Sequence, residues 1–304
     1  MLSLLVACLL PLDAPPELPS RSPEYPLMGE YLSITENGSH QVAPASRDRE
    51  PTVGLQVRPV PDVDGKAAYE FVSHFGGLPG AGWTGITPTR RTVTADEAGE
   101  SLQRFFRVQR SSPTLHQPPP RGAVVLFDAA NPSLEAWKDG ATLKDGYLKS
   151  GATTRSTFRG QQIHLEFWIP LQVEKLDTWR GNSGVYVQDR YEVQVLESFG
   201  DVIRENGSGS IYRLHTPPQN MALPPMQWQT LDITLQPATF AQEVKSGDAV
   251  MSVSLNGVPL FEEVTVPSVT NGNHLEESSY GGPLHLQDHG DPVLYRNIWL
   301  KRLP

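Results

Sequence analysis

This chain of 304 residues has few of the features on which many protein classes depend. Its single cysteine, Cys8, excludes an internal disulfide and leaves the folded part without a thiol nucleophile or thiolate ligand. No run approaches the ~18–20 apolar residues of a membrane-spanning helix. The net charge of −9 comes without any lysine and arginine cluster, so we expect no nucleic-acid partner.

Turn-forming residues, in contrast, are frequent. The 28 prolines and 26 glycines are typical of short strands joined by turns, and no segment has a long helical period. Asp64-Gly65 and Asn256-Gly257 are hairpin signals. The sequence therefore predicts an all-β protein with a sandwich or barrel.

Composition divides the chain into four parts. The predicted divisions are an apolar export segment with a Pro-rich linker (1–28), a small β-rich region (29–112), a Pro-rich linker (113–122) and the main sandwich (123–304).

The apolar start predicts export to the periplasm or cell surface. Leu5-Val-Ala-Cys8 resembles the lipobox of bacterial lipoproteins, in which an acylated cysteine gives a lipid anchor as the one membrane link. Two alternatives stay open, because no basic residues precede the apolar run. The segment is either an ordinary cleaved signal or the tail of a signal peptide that begins upstream.

Three segments alternate apolar and polar residues with the period of a strand. Their polar faces carry Tyr186, Gln188, Glu192 and Gln194 in the first segment, His164, Glu166 and Trp168 in the second, and His285, Gln287 and His289 in the third. If the three segments share a sheet, they make one polar, aromatic surface. Tyr, Gln and Glu suit sugar recognition and acid–base chemistry better than simple solvation does.

The sharpest chemical signal is Glu192-Val-Gln-Val-Leu-Glu197. It resembles the Glu-x-Asp-x-x-Glu strand motif of laminarinase-like glucanases, where two carboxylates act as nucleophile and acid. Here Gln194 replaces the middle carboxylate, and Glu197 faces away from Glu192 unless a bulge intervenes. A polar pair at a sheet edge is the simpler interpretation.

Other single residues leave alternatives open. His289 could be a general base, a metal ligand or a hydrogen-bonded loop residue. Histidine and glutamate ligands suit zinc or manganese, but the short His-x-His and His-Glu-x-x-His spacings are absent, so a divalent metal stays an open question. Trp168 and Tyr186 could stack on a pyranose ring. Arg296 could anchor a substrate oxygen, although its chemistry alone favours a structural ion pair.

A family resemblance extends over nearly all of residues 123–304. The matching segments are Ala123–Asp128 with Trp137, Leu165–Phe167, Gly181–Gln188, Tyr191–Ser198, Ile211-Tyr212, Trp228–Thr230, Asn256–Val258, Gly282–Gly290 and Arg296–Trp299. In this order they resemble the 3-keto-disaccharide hydrolase domain family. One departure is Ser208-Gly-Ser210, where many relatives carry Cys-Gly-Gly.

The resemblance implies a concanavalin A-like jelly-roll β-sandwich that cleaves glycosides already oxidised at C3. Such chemistry needs a base for the C2 proton and a stabiliser for the enolate, not two matched carboxylates. The expected catalytic residues are Glu192 and His289. The expected substrate-binding residues are Glu166, Trp168, Tyr186, Gln188, Gln194, Gln287 and Arg296, with Arg296 or a metal at the enolate.

Two other functions compete with this hydrolase or lyase, because a fold alone does not fix a function. One is a non-catalytic carbohydrate-binding module or lectin, and the other is a structural surface domain.

Overall fold

The computed structural model describes residue 18 and residues 22–33, 53–75, 77–80 and 88–303. Cys8 and the rest of the predicted export segment up to residue 17 lie outside this part. Within the described residues, no helix combines the length and apolar character that crossing a membrane requires.

The first region forms a five-stranded antiparallel sheet. Its elements are β1 (Gly29–Ser33), β2 (Val53–Val63), β3 (Lys66–Phe75), β4 (Thr89–Thr94), helix α1 (Ala95–Ser101), a 3₁₀ turn (Leu102–Arg104) and β5 (Phe105–Val108). The strand order is β4-β3-β2-β1-β5. Asp64 and Gly65 join β2 to β3 with positive φ angles of 52° and 73°, as the hairpin signal predicts.

The second region is a sandwich of two antiparallel sheets. Its strands are β6 (Val124–Phe127), β7 (Leu143–Lys144), β8 (Tyr147–Lys149), β9 (Ala152–Thr153), β10 (Gln161–Trp168), β11 (Ser183–Val187), β12 (Tyr191–Val195), β13 (Trp228–Gln236), β14 (Thr239–Ala241), β15 (Val244–Gly247), β16 (Ala249–Leu255), β17 (Val258–Val266), β18 (His285–Leu286) and β19 (Leu294–Arg302). A 3₁₀ turn, Asp177–Trp179, precedes β11.

The large sheet has the order β17-β16-β13-β10-β19-β8-β7, with β6 also paired to β19. The small sheet has the order β12-β11-β18-β9, and among the described strands β14 pairs with β15 alone. The prediction of an all-β protein with a jelly-roll sandwich is confirmed.

One apolar core fills the space between the two sheets. It includes Ile163, Leu165 and Phe167 of β10 together with Val185 and Val193 of the small sheet. Because side chains alternate along a strand, the polar residues between them point away from the core. The outer faces of the two sheets therefore lie on opposite sides of the sandwich.

The segment between the two regions, residues 109–123, has no strand or helix but packs closely. Thr114 Oγ1 lies 2.7 Å from Thr230 Oγ1 on the outer face of the large sheet. The backbone nitrogen of His116 donates to Glu166 Oε1 over 2.5 Å. This predicted Pro-rich linker thus covers that outer face.

The first sheet contacts the sandwich through partly buried charges. Arg58 of β2 forms ion pairs with Glu70 of β3 and with Asp201, which follows β12 in the chain. Arg180 binds Asp201 as well, with 2.9 Å between Nη2 and Oδ2. These charges tie the first region to the loop after β12.

Candidate functional site

The outer face of the small sheet carries a regular grid of polar side chains. Tyr186 of β11 pairs with Glu192 of β12 on one side and with His285 of β18 on the other. One step along the strands, Gly184 pairs with Gln194 and receives a 2.8 Å hydrogen bond from the backbone nitrogen of Gln287. The period of two puts all these side chains on one face.

Glu192 lies at the centre of this grid. Its Oε2 accepts a 2.8 Å hydrogen bond from the Tyr186 hydroxyl. Its Oε1 lies over Gly184, since a Cβ added there would be 2.2 Å from that oxygen. Only a glycine at this position leaves room for the carboxylate.

The surroundings of Glu192 change its acidity. Burial raises the pKa of Glu192 to about 7, although the hydrogen bond from Tyr186 works in the opposite direction. The residue is 2% exposed, and the described part of the chain gives it no ion-pair partner. A carboxyl group with this pKa can both accept and donate a proton near neutral pH.

Unpartnered acceptors flank Gly184. The Oε1 atoms of Gln194 and Gln287 are buried and have no hydrogen-bond partner within the part of the chain that the structure describes. The hydroxyl of Ser210, whose backbone oxygen accepts from the Gln194 nitrogen, is also buried and unpartnered. Buried polar atoms are almost always satisfied in folded proteins, so each of these groups calls for a partner that the described residues do not supply, such as a water molecule or a polar ligand.

A second cluster lies next to the Tyr186–Glu192 pair. Asp189, His274 and His285 bring one carboxylate oxygen and two ring nitrogens within 4.8 Å of one another. His274 Nδ1 is 2.7 Å from Asp189 Oδ1. The Tyr186 ring centroid is 5.8 Å from that of His285.

The donors of this cluster fit a divalent transition metal ion. Two imidazoles and one carboxylate are a common set for such ions. Thr153 Oγ1 contacts Nδ1 of His285 at 2.7 Å, which leaves Nε2 for a ligand and fixes the ring. Burial lowers the pKa of His285 and favours the neutral form that binds metals.

Glu166 and Arg296 lie on the opposite side of the molecule. The three polar segments do not share one sheet and so do not form one surface. Strand β10 belongs to the large sheet, whereas β11, β12 and β18 belong to the small one. Arg296 Nε donates to Glu166 Oε2 over 2.6 Å, and Asn297 Nδ2 donates to Oε1 over 2.9 Å. The Arg296 guanidinium also lies 4.1 Å from the Trp228 ring centroid.

These contacts occupy Glu166 fully. Burial by itself would raise its pKa, but His164, the Asn297 hydrogen bond and the Arg296 guanidinium together lower it to about 2. Glu166 is 0% exposed and lies under the 112–117 segment. The structure thus shows Glu166 and Arg296 as a buried ion pair, away from Glu192.

Three other predicted site residues also differ from expectation. Trp168, on the outer face of the large sheet, lines a cleft of about 610 Å³. Gln188 is in the turn after β11, where its amide binds the Arg159 oxygen and the Arg190 guanidinium. Tyr186 is 1% exposed, so it is no open stacking platform.

His289 lies outside the grid around Glu192. Its side chain is exposed, and its ring centroid is 5.6 Å from that of Trp179 in an edge-on arrangement. No contact joins it to Glu192 among the described residues. The structure brings Glu192, Gln194, Gln287 and Tyr186 together and places His289 farther along the same strand direction.

The second carboxylate of the glucanase-like motif has a different partner. Glu197 follows β12 and forms a buried ion pair with Arg180. The Glu197 backbone nitrogen donates to the Arg180 oxygen over 3.1 Å. Glu197 therefore belongs to the charges that join the two regions and does not pair with Glu192.

Sequence reasoning missed two kinds of residues. His274 comes from a loop with no periodic pattern, and Asp189 lies in the turn between β11 and β12. Gly184 gave no signal by itself, because its role depends on which residue it faces across β12.

Comparison with known proteins adds the family. Residues 122–301 match the model of the 3-keto-alpha-glucoside-1,2-lyase-like domain family. A search of the curated proteins finds no match to the chain.

Solved structures support the fold. A structure of a candidate glycosyl hydrolase from Parabacteroides distasonis ATCC 8503 is 24% identical, with a TM-score of 0.55, and the match covers 87% of this chain and 97% of the other. A second from the same organism is 21% identical over 60% of this chain and 99% of its own, with a TM-score of 0.38. The alginate lyase Aly36B is 9% identical over 61% and 98%, with a TM-score of 0.34. The first of these shows a shared fold.

Proposed function

The chain belongs to the 3-keto-alpha-glucoside-1,2-lyase-like domain family, and from this premise we propose that it cleaves 3-keto-glycosides by C2 deprotonation and elimination. Family membership supports the broader statement that the protein is a glycoside-acting hydrolase or lyase. The finer proposal depends on the geometry around Glu192.

The reaction begins at the carbon next to the ketone. A carbonyl at C3 acidifies the C2 proton, so a carboxylate base can remove it and the electron pair forms an enolate with the C3 oxygen. When the C3 carbonyl re-forms, a double bond forms between C1 and C2 and the C1–O bond breaks. The departing alkoxide takes up a proton, from the carboxylic acid that the first step formed or from water, and leaves as the alcohol. Addition of water across the new double bond then gives the free 3-keto sugar.

Glu192 is the proposed base, and its environment is the observation that carries the proposal. Burial sets its pKa to about 7, close to the operating pH that makes a general base efficient. Its Oε1 lies over Gly184 and has no hydrogen-bond partner among the described residues, while Tyr186 holds Oε2. One oxygen is therefore free to accept a proton and the other is fixed.

The two glutamines are proposed to hold the sugar. Gln194 and Gln287 border Gly184 on either side, and each has a buried acceptor without a partner. Sugar hydroxyl groups could donate to both. This arrangement would keep C2 above the free Glu192 oxygen.

Enolate stabilisation is assigned to the neighbourhood of Tyr186 and not to Arg296, which lies on the other outer face. A divalent ion bound by Asp189, His274 and His285 would supply positive charge to the keto oxygen. The chain's own part is to orient these donors through Thr153 and Asp189.

A non-catalytic carbohydrate-binding module is the second candidate. The exposed indole of Trp179, 64% accessible, favours it, because exposed aromatic rings are typical sugar contacts. Such a module needs no carboxyl group with a pKa near 7, which favours the enzyme.

A substrate panel separates the two. Release of the alcohol from 3-keto-α-glucosides, and not from the unoxidised glucosides, would support elimination. Release from unoxidised glucosides at a similar rate would overturn it in favour of an ordinary glycosidase. Sugar binding without release from either set would identify a binding module.

A further inference from the structure

An exposed aromatic pair flanks two strands of the candidate site, since Trp179 precedes β11 and His289 follows β18. Trp179 is 64% exposed, although indole is among the largest apolar side chains. The His289 ring meets it at 5.6 Å with an interplanar angle of 62°. The two residues come from segments 110 positions apart, so the pair is a product of the fold.

The backbone on both sides of the pair is fixed. Asn182 Nδ2 donates to the Thr178 oxygen over 2.6 Å. Ser183 Oγ donates to the Gln287 oxygen over 2.6 Å. The 3₁₀ turn that carries Trp179 and the chain that leads to His289 are thus anchored to the start of β11.

The pair lies beyond Gln287 in the direction away from Glu192. His285 faces Tyr186, and the Gln287 nitrogen continues the ladder to Gly184. The strand ends at Leu286 and His289 lies in a bend, so the four residues from His285 to His289 cover at most the roughly 13 Å of a fully extended chain. That length suits two linked pyranose rings.

We propose that Trp179 and His289 form the subsite for the leaving-group sugar of a 3-keto-disaccharide. The inference rests on the proposed function, because the first ring is placed at Glu192. The indole face would pack against the apolar C–H face of the second ring, and the His289 ring nitrogens would bind its hydroxyl groups. His289 then contributes to binding and not to proton transfer.

A protein partner fits this surface less well. Among the described residues of the segment before β11, the exposed large apolar side chains are Trp179 and Leu176, at 64% and 63%. The surface of two exposed side chains is far smaller than the roughly 800 Å² of surface that each partner buries in a stable protein interface. One aromatic ring beside a polar ring matches a single sugar.

The test compares two substrates with Trp179→Ala, His289→Ala and the control Leu176→Ala. For a 3-keto-disaccharide we expect Trp179→Ala to raise KM roughly 3- to 10-fold with kcat unchanged. For methyl 3-keto-α-glucoside, which has no second ring, both constants should stay as in the wild type. His289→Ala should follow the same split, and Leu176→Ala should change neither substrate.

Two kinetic results would overturn the subsite. One is an unchanged KM for the disaccharide in Trp179→Ala. The other is an equal fall in kcat for both substrates in His289→Ala, which would restore a catalytic histidine. Because all three residues are exposed, circular dichroism should show an unchanged fold.

A binding measurement separates failure of the subsite from failure of the proposed reaction. If the wild type turns over neither substrate, the unoxidised disaccharide is titrated by saturation-transfer NMR. Binding by the wild type that is lost in Trp179→Ala supports the subsite without the reaction. No binding by the wild type, or equal binding by both proteins, contradicts it.

Discussion

Tyr186 donates its hydroxyl hydrogen bond to Oε2 of Glu192 over 2.8 Å, from the facing position on the neighbouring strand. Burial raises the pKa of Tyr186 far above neutral pH, so the hydroxyl stays protonated and remains a donor. Burial also raises the pKa of Glu192 to about 7, and the bond from Tyr186 limits that rise. The hydrogen bond from Tyr186 therefore keeps the pKa of Glu192 lower than burial alone would set it.

Removal of the donor should change the pH dependence. In Tyr186→Phe the hydrogen bond that favours the carboxylate is lost, so the pKa of Glu192 should rise by about one unit. The base form is active above its pKa, and the acid limb of the kcat/KM profile should move to higher pH. Kinetics across pH 5–9 measure the shift.

Tyr191→Phe is the matched control, since Tyr191 is a buried tyrosine whose hydroxyl donates to Glu277 and not to Glu192. Its acid limb should stay in place. Identical limbs in Tyr186→Phe and the wild type would show that Glu192 does not govern the profile.

Activity should also require a residue without a side chain at position 184. In Gly184→Ala the new methyl group would lie 2.2 Å from Glu192 Oε1, so the carboxylate must leave its present position over Gly184. We expect a fall in kcat of about 10²-fold or more, as misplacement of a catalytic group produces. Steady-state kinetics with a 3-keto-glucoside measure it.

Gly99→Ala provides the comparison, because a Cβ at this helical glycine meets no atom within 4 Å. It should keep full activity. Wild-type turnover by Gly184→Ala would mean that the position of Oε1 is unimportant.

The alternation of polar and apolar residues predicted which side chains share the face around Glu192, but not which strands pair with one another. The period of two correctly put Tyr186, Glu192 and Gln194 on one non-core face, because side-chain direction depends only on position along a strand. It could not show that β10 joins the other sheet, since strand pairing is decided by contacts between distant segments. The partners of Glu166 show this, because Arg296 lies 130 positions away.

The strand pattern also could not predict the candidate metal-binding cluster beside Tyr186. His274 belongs to a loop, and only the folded chain brings it to Asp189 and His285. The spacing of these three residues in sequence follows no short metal-binding motif. The predicted catalytic and binding roles of individual residues stay predictions until variants are assayed.

Metal binding should depend on that cluster. We expect one Zn²⁺ or Mn²⁺ ion to bind per chain and binding to be lost in His274→Ala, which removes one of the ring donors. Isothermal titration of the chelator-treated protein measures the stoichiometry. The exposed His289→Ala should bind as the wild type does. Equal binding in His274→Ala would place any metal elsewhere.

The ion pair on the opposite face should contribute to stability and not to activity. Glu166→Gln leaves the Arg296 guanidinium without its counter-charge, at a cost of about 3–5 kcal/mol in the free energy of unfolding. Turnover of the remaining folded protein should be unchanged. Urea unfolding at pH 7 measures the loss, with the exposed Glu135→Gln as the control.

The difference in the free energy of unfolding between the wild type and Glu166→Gln should depend on pH. The pKa of Glu166 is about 2 in the folded protein, below the value of about 4.3 expected when the chain is unfolded. Its stabilising contribution is therefore full above pH ~4.3 and is lost as the pH falls toward 2. A stability difference that persists at pH 2 would contradict the ion-pair explanation.

The role of Glu192 is tested most directly with a 3-keto-α-glucoside deuterated at C2. The wild type should release the alcohol more slowly from the deuterated substrate than from the protonated one. Glu192→Gln, which keeps the shape and the acceptor for Tyr186, should lose about 10²- to 10⁴-fold in kcat. A Glu192→Gln variant that cleaves at the wild-type rate would contradict the account.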